Sequence, residues 1–588
     1  MALGPDQLAP VHLKHLGPRG IKFLTETINL SLSSYRIPER WKVGRVIPLL
    51  KPNKPADIAK SYRPIALLSP VAKIIERLLL PTIVEHSHLA EHQHGFRKGR
   101  STTTALNLIT HQIKMGFNRP PPADRTVLVA LDLTAAFDTV DHTVLLEDLN
   151  STEIPPAVKK WLYGYLRGRS TVVEYKGKRS KKRKMRQGVP QGGVLSPALF
   201  NLYMSKLPSP PPSVSLVSYA DDITLLSSAV EPGTACNNIN RYLTELHAWL
   251  EERSLRLSEP KSSATLFTTW SAQRGSQLHI TVAGKELPTT REVKVLGVTL
   301  DQSLTFASHA NNIGNRLGEK NKILKCLAGT GWGCSKEVLL TTYKAIGRSL
   351  TNYAAPVWTP TLSDTNWKKH LQTKQNAALR IVTGCHRMAS EGHIHRETKV
   401  MQVKRHNEML SLQFLDGARL PERGLEATLQ RAPPSSRNIR ETLVSRYSGR
   451  LARVAGQHHQ DQWDHRTVLR LIHRDAVAES QAALDPPRTW EESYPFLPVP
   501  DIDPRETELP RSARCTLAQL RSGFSVKLRS YMNRIDPTTS PLCPECNAAS
   551  HTVAHLFLCP AKPPPQGLSV ESLWTHTEDA ARFLGLLE

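Results

Sequence analysis

Long apolar runs are missing from this chain. Nowhere in its 588 residues do about eighteen apolar residues follow one another, so no membrane-spanning helix is expected. The opening stretch, "MALGPDQLAPVHLKHL", has no basic segment followed by an apolar one, so no secretory signal is read. Cysteine is sparse. Cys236, Cys326, Cys334, Cys385 and Cys515 are scattered, and Cys543, Cys546 and Cys559 cluster. That pattern excludes a disulfide framework and fits a reducing, intracellular setting, with nucleus and cytoplasm as the expected locations. Internal repeats are absent. Acidic residues are in deficit, 52 against 77 Lys and Arg, for a net charge of +25. The excess points to a polyanionic partner, nucleic acid first, with an idle basic surface as the alternative.

What is present is ordinary globular material. A hydrophobic content of 39% with 22% charged residues supports a sizeable core, and the length suits about three or four domains. Helical spacing marks 71–80 ("VAKIIERLLL"), 101–115 with Ser101 as cap, 198–207 and 237–252. "TVLVALDL" at 126–133 reads as a buried strand and "REVKVLGVTL" at 291–300 as another. "TVVEYKGKRSKKRKM" at 171–185 reads as a hairpin turning near Gly177. Strands and helices alternate with hairpins among them, so the expected class is α+β rather than a doubly wound sheet. From about 307 the chain reads as mostly helical, with Ile313, Leu317 and Leu324 on one face. Proline clusters mark loops at 120–122 and 208–212, and linkers near 432–438 and from Asp485 to Pro510.

One stretch resists a bland reading. In "SYADDITLL" (218–226) two carboxylates, Asp221 and Asp222, sit between the apolar runs "VSLV" and "ITLL". Asp is a good turn residue, which accounts for one of them. Two on one hairpin tip repel each other unless a cation lies nearby, and a divalent metal is the obvious one. On turn chemistry alone both readings stand. A third carboxylate, Asp132, ends the apolar strand "LVALDL", where a lone charge is costly unless paired or coordinated. Asp138 and Asp141 follow on a helix and read as caps or structural contacts. Asp132, Asp221 and Asp222 therefore form a candidate Mg²⁺ site. Two such ions would stabilise the attacking and leaving oxygens of a phosphoryl displacement.

In order, "LDLTAAFD", "GVPQGGVLSP", "YADD", "LSEPKS" and "VLGVTLD" resemble the palm of a reverse transcriptase. "RIPERWKVGRVIPLLKPNKPADIAKSYRPIALLSPVAKIIERLL" and "QHGFRKGRST" are similar to the fingers of non-LTR (LINE-type) retrotransposon enzymes, nearest the Jockey and I groups. "YAAPVW" and "KQNAALRIVTG" resemble their post-palm segment. The resemblance implies a right-hand polymerase: approach and fingers over 1–130, palm over 131–301 within a reverse transcriptase domain of about 30–301, thumb and helical connector over 302–430, a linker-rich helical region over 431–510 and a C-terminal zinc module over 511–588. The implied activity is RNA-directed DNA synthesis. A DNA primer is extended on an RNA template from dNTPs with two Mg²⁺ ions, and target DNA is a further partner. No membrane partner is implied, and the oligomeric state stays open.

Residue roles follow by position. Asp132, Asp221 and Asp222 match the metal-binding aspartates. Phe137 matches the aromatic gate that excludes a ribose 2′-hydroxyl; its alternative is a core Phe. Gln191 and Gly192 match the loop at the incoming nucleotide, where glycine permits close backbone approach. Gly193 stands where the family usually has Ser, which loosens the loop. Lys261 matches the residue suspected of protonating pyrophosphate, or is a solvated Lys. Arg63 and Arg97 fall where fingers residues grip triphosphate or template.

The run "KGKRSKKRKMR" (176–186) carries eight Lys and Arg; it reads as a nucleic-acid contact, a nuclear localisation signal, or a solvated hairpin tip. In "CPECNAASHTVAHLFLCP", Cys543 and Cys546 are three apart and His555 and Cys559 four apart, spacings that close a tetrahedral Zn²⁺ site. Resemblance to the family's C-terminal Cys-Cys-His-Cys motif selects His555, with His551 still open. An upstream endonuclease is expected to be missing, so the gene is truncated or nicking comes from elsewhere; no RNase H constellation is read after 301. Two rival readings stand: a relic that binds RNA without polymerising, and an RNA-dependent RNA polymerase. The aspartate set argues against the first, and "YADD" with Phe137 against the second.

Overall fold

The computed structural model describes residues 4–52, 54–329, 331–418, 425, 441–456, 465–482 and 499–587. They fall into two compact units. One holds the residues up to 297 together with 301–303; the other holds 298–300 and the described residues from 304 onward.

In the first unit the elements run α1 (Pro18–Ser34), β1 (Val43–Leu50), β2 (Tyr62–Leu67), α2 (Pro70–Glu85), α3 (Thr102–Phe117), β3 (Arg125–Leu131), α4 (Ala136–Thr139), α5 (His142–Asn150), β4 (Ser170–Tyr175), β5 (Lys178–Arg179), β6 (Arg183–Lys184), α6 (Ser196–Met204), β7 (Ser215–Tyr219), β8 (Asp222–Ala229), α7 (Pro232–Glu252) and β9 (Ser263–Phe267). Helix starts are local decisions. Ser101 caps α3, its hydroxyl accepting the Thr104 N–H at 3.3 Å, and Ser69 does the same for α2 with Pro70 in the first turn. Asp141 caps α5 by accepting from Thr143 and Val144, as a cap reading requires.

Two sheets organise this unit. A four-stranded sheet has the order β7-β8-β3-β9, antiparallel throughout. Its central strand β3 is almost wholly buried, which is why its sequence is a continuous apolar run. α3 and α7 pack against this sheet. In the second sheet β1 pairs antiparallel with β2 and parallel with β4, while β5 and β6 both pair with β4. The β4–β5 turn is Lys176-Gly177, both at positive φ (47° and 77°), the geometry a two-residue hairpin turn demands. Mixed helix and strand with mainly antiparallel pairing agrees with the α+β expectation.

Two expectations need correction. The stretch 291–300 is not one strand. It divides into Glu292–Val295 and Val298–Asp301, because Leu296 and Gly297 both take positive φ and end the extended run. The proline-bearing stretch up to Pro510 is not a linker from Val499 onward. Val499, Ile502 and Leu509 pack on a core and Glu506 is buried. The other proposed linker, 432–438, lies outside the described residues.

The second unit is helical over most of its length. Its elements include α8 (Ala307–Leu327), α9 (Thr373–Thr383), α10 (Glu391–Thr398), α11 (Val403–Ala418), α12 (Leu443–Gly456), α13 (His465–Ala482), α14 (Arg511–Arg521) and α15 (Val553–Leu556). Ile313, Leu317 and Leu324 form the buried face of α8, as their spacing predicts. Ala518 of α14 joins the core of Leu317, Leu379 and Ile394, while Leu517 and Leu520 join that of Val553, Phe557 and Trp574. Between these cores lies an ion cluster. Buried Arg521 donates to Glu397 (2.7 and 2.8 Å) and to Glu506, and Lys336 donates to Glu397 at 3.0 Å. Burial alone would raise the Glu397 carboxyl; Arg521 and Lys336 instead hold it well below the usual carboxylate range.

Candidate active site

Strand register brings the aspartates together. Leu131 of β3 pairs with Ile223 of β8, and Tyr219 of β7 pairs with Asp222. Asp132 is the next residue after Leu131, so the antiparallel ladder sets it opposite Asp222, beside the β7–β8 turn that carries Asp221. The "SEPKS" segment docks on Asp132. Ser258 N–H donates to the Asp132 carbonyl (2.7 Å), Asp132 N–H donates to Ser262 Oγ (3.2 Å), and Lys261 Nζ donates to Asp132 Oδ2 (2.7 Å). Desolvation, then repulsion from Asp132, raises the Asp221 carboxyl. Desolvation, then repulsion from Asp221 and Asp132, pushes Asp222 up to about 6, against the pull of Lys261. The three carboxylates repel one another across a strand end, a repulsion that a nearby cation would relieve.

The turn itself is held from outside. Ala220 has φ 56°, a left-handed conformation that a side chain disfavours. Buried Gln93 clamps it. Its Oε1 accepts the N–H of Ala220 (2.9 Å) and of Gly95 (2.8 Å), and its Nε2 donates to Ala220 O at 3.4 Å. Residues 92–94 run along β7, with Ser218 N–H donating to His92 O (2.9 Å) and His94 N–H to Ser218 O (2.8 Å). A Cβ on Gly95 would lie 2.4 Å from Ala220 N, so this approach requires glycine.

The loop 190–195 is held by β2 and α2. Gln191 donates its amide to both Asp138 carboxylate oxygens (3.1 Å each) and accepts the Ala66 N–H at 2.7 Å. Gly192 has φ 128°, and a Cβ there would meet Ala66 O at 2.5 Å. Behind the loop, fully buried Glu76 of α2 accepts the Val194 N–H (2.6 Å) and the Leu195 N–H (3.0 Å). Phe137 is half-buried, stacked on Phe200 at 4.4 Å and edge-on to Phe96 at 6.3 Å. A cavity of about 290 Å³ opens beside Asp138 and Gln191, walled by Val46, Ala66, Val189 and Pro190. Arg63 is exposed on β2. Arg97 donates to Ala90 O (2.7 Å) and to Glu91 (3.1 Å).

Residues 50–300 match the family model described as reverse transcriptase (RNA-dependent DNA polymerase). This segment is a reverse transcriptase domain. Among curated proteins, the chain is 30% identical over 423 residues to the probable RNA-directed DNA polymerase from transposon BS of Drosophila melanogaster, covering 69% of this chain and 46% of that protein. It is 29% identical over 444 residues to the corresponding protein of transposon X-element (74% and 48%), and 27% identical over 414 residues to that of mobile element jockey (68% and 44%), both from the same fly. The chain thus spans about half the length of the curated relatives it matches. Among solved structures, apo telomerase from Candida tropicalis aligns at a TM-score of 0.35 with 11% identity, over 74% of this chain and 69% of that one.

Beyond the reverse transcriptase domain lies a second constellation. Cys543, Cys546, His555 and Cys559 bring their donor atoms within 4.8 Å of one another, the one such set among the described residues. Cys543 and Cys559 Sγ are 3.8 Å apart, and Cys546 Sγ lies 3.3 Å from His555 Nε2. A tetrahedron with metal–sulfur bonds near 2.3 Å has edges of about 3.8 Å, so the donors fit a four-coordinate soft metal. Backbone N–H groups of Ala548 and Ala549 lower the Cys546 thiol to about 6, favouring the thiolate a metal needs. His551 is not in the set: its Nδ1 accepts the Arg529 N–H at 3.2 Å.

Sequence reasoning missed Gln93 and Glu76 as contributors, while Asp138 is the structural contact it was read as, accepting from Gln191. Gln93 and Glu76 lay inside segments weighed for other residues. A Glu among the apolar residues of "KIIERLL" was the one signal pointing to a buried carboxylate with a dedicated partner.

Proposed function

We propose that this chain is the RNA-directed DNA polymerase of a non-LTR retrotransposon, extending a DNA primer 3′-hydroxyl on an RNA template from dNTPs. The observation that carries the reading is the β3–β8 register, which sets Asp132 opposite Asp222 with Asp221 beside them, inside a segment that matches the reverse transcriptase model. In right-hand terms the β7-β8-β3-β9 sheet is the palm, the β2-β1-β4 sheet the fingers, and the helices from Ala307 the thumb and connector.

Asp132, Asp221 and Asp222 would hold two Mg²⁺ ions, whose chemistry there is to acidify the primer hydroxyl and neutralise the triphosphate. Phe137, fixed by its stack on Phe200, offers a rigid edge against a ribose 2′-hydroxyl. Gln191, oriented by Asp138, and the tight backbone at Gly192 shape the nucleotide pocket. Arg63 is exposed on β2 to meet phosphate with its planar fork. Lys261, beside Asp132, is placed to give a proton to departing pyrophosphate. The Cys/His set would hold a structural Zn²⁺ through Cys543, Cys546, His555 and Cys559. The exposed basic strands β5 and β6, both paired to β4, support contact with template or target DNA. No helix among the described residues is long and apolar enough to cross a membrane. We place the protein in nucleus and cytoplasm, where its template and target lie.

Primer extension on poly(rA)/oligo(dT) with Mg²⁺ and dTTP tests the reading. Extension by the wild type and its loss in Asp221→Asn is the expected outcome. A folded wild type that binds the duplex but never extends it returns the chain to the class of nucleic-acid-binding relics.

A further inference from the structure

Phe96 has an environment that packing alone does not explain. The residue is 52% exposed, so it gains little from burial. Its backbone takes φ 55°, a left-handed conformation that is an outlier for a bulky residue. Neighbouring groups enforce that conformation. Gly95 N–H donates to Gln93 Oε1 at 2.8 Å, and Gly95 O accepts from Nδ2 of buried Asn201 at 2.8 Å. The residue next to Asn201 on α6 is Phe200, whose ring lies flat against Phe137. One helix therefore anchors both the backbone before Phe96 and the ring beneath Phe137. The result is a corner in which the Phe96 ring meets Phe137 at 87°.

A strained, half-exposed aromatic held by other parts of the fold is the pattern expected of a residue kept for a ligand. We infer that Phe96 is a second wall of the sugar pocket, holding the Phe137 ring edge-on so that deoxynucleotides are admitted and ribonucleotides refused. The inference rests on the polymerase reading and adds a specificity-determining residue to it. The gate is then a pair of rings. Phe200 fixes the plane of Phe137 from below, and Phe96 blocks its displacement from the open side.

The test compares wild type, Phe96→Ala and Phe96→Gly on poly(rC)/oligo(dG), measuring kcat/KM for dGTP and for GTP, with melting temperatures alongside. Both variants are expected to lower the dGTP-to-GTP preference on the order of tenfold, the scale of one lost pocket contact. Phe96→Gly is also expected to melt above the wild type, because glycine takes positive φ without cost. A preference unchanged in both variants overturns the inference and leaves the polymerase reading intact. So does an equal fall for both nucleotides. A lower melting temperature for Phe96→Gly removes the strain argument and overturns it likewise. A wild type that extends with neither nucleotide overturns both readings together.

Discussion

Two side-chain constellations of this chain, the Cys/His quartet and the three aspartates, are built in opposite ways. The Cys/His set is local: four donors within seventeen residues of chain, brought to tetrahedral spacing by one turn and one short helix. The aspartate set is non-local: Asp132 and Asp222 come from strands about ninety residues apart and meet through register. They also differ in electrostatics. Backbone N–H groups favour thiolate at Cys546, while burial and the neighbouring thiols Cys543 and Cys546 raise the Cys559 thiol. The aspartates repel one another, and the fold must hold them against that repulsion with Gln93, Ser262 and Lys261. A local site adds stability when loaded. A non-local site of like charges costs stability until a cation arrives.

The largest effect expected from this contrast is on activity. Asp132→Asn or Asp221→Asn should lower primer extension on the order of a thousandfold or more, the loss of metal-centred charge stabilisation. In metal-free buffer the melting temperature of Asp222→Asn should equal or exceed that of the wild type, since repulsion is relieved. A clear fall in both properties would make the aspartates structural and break the contrast.

Next in size is the local site. Cys543→Ser, or stripping with a zinc chelator, should loosen the core of Leu517, Leu520, Val553 and Phe557, on the scale of several kcal/mol. Proteolysis within 511–588 would report it. A bound-metal assay that finds no zinc in freshly purified wild type would remove the reading of the quartet altogether.

Smaller effects sharpen the comparison. Glu76→Ala should raise KM for dNTP roughly tenfold, because two N–H groups behind the Gln191 loop lose their acceptor. Glu76→Gln keeps an acceptor oxygen there and should be much milder. Steady-state kinetics at saturating primer–template separates this from a general loss of fold.

The smallest effect is on pH dependence, and the two units should differ in sign. In metal-free protein, Asp222 binds its proton more tightly folded (about 6) than unfolded (about 4). Its contribution is fully favourable below about 4 and is lost as pH rises through about 6. Glu337, which Arg514 holds at about 2, behaves oppositely: it stabilises above its ordinary value and loses that contribution as pH falls toward about 2. Glu337 is half-exposed, so the slope should be shallow. Comparing melting curves of Asp222→Asn and Glu337→Gln with wild type between about pH 3 and 7 resolves the two signs.

What could be read from the residues alone was what short-range physics controls. Ser101 as a cap, the Lys176-Gly177 turn, the buried face of α8 and the Cys-x₂-Cys spacing each depend on groups within a few residues. The three aspartates were legible too, because a charge at the end of an apolar run has few bland explanations. Other features had no local signal for which partner they would meet. Nothing near Glu76 announces that it caps a loop 118 residues away, and nothing near Gln93 announces that it clamps the β7–β8 turn. Nothing near Arg97 announces that Ala90 O and Glu91 accept its hydrogen bonds. The stretch 291–300 has a strand's pattern, yet positive φ at Leu296 and Gly297 breaks it. Sequence by itself determined which residues carry charge, which faces are apolar and where short turns close, since those depend on neighbours along the chain. Only the tertiary structure decided which distant groups satisfy each buried carboxylate and strained turn. Buried polar atoms must find partners wherever the fold brings them, and that choice is made between segments the chain leaves far apart.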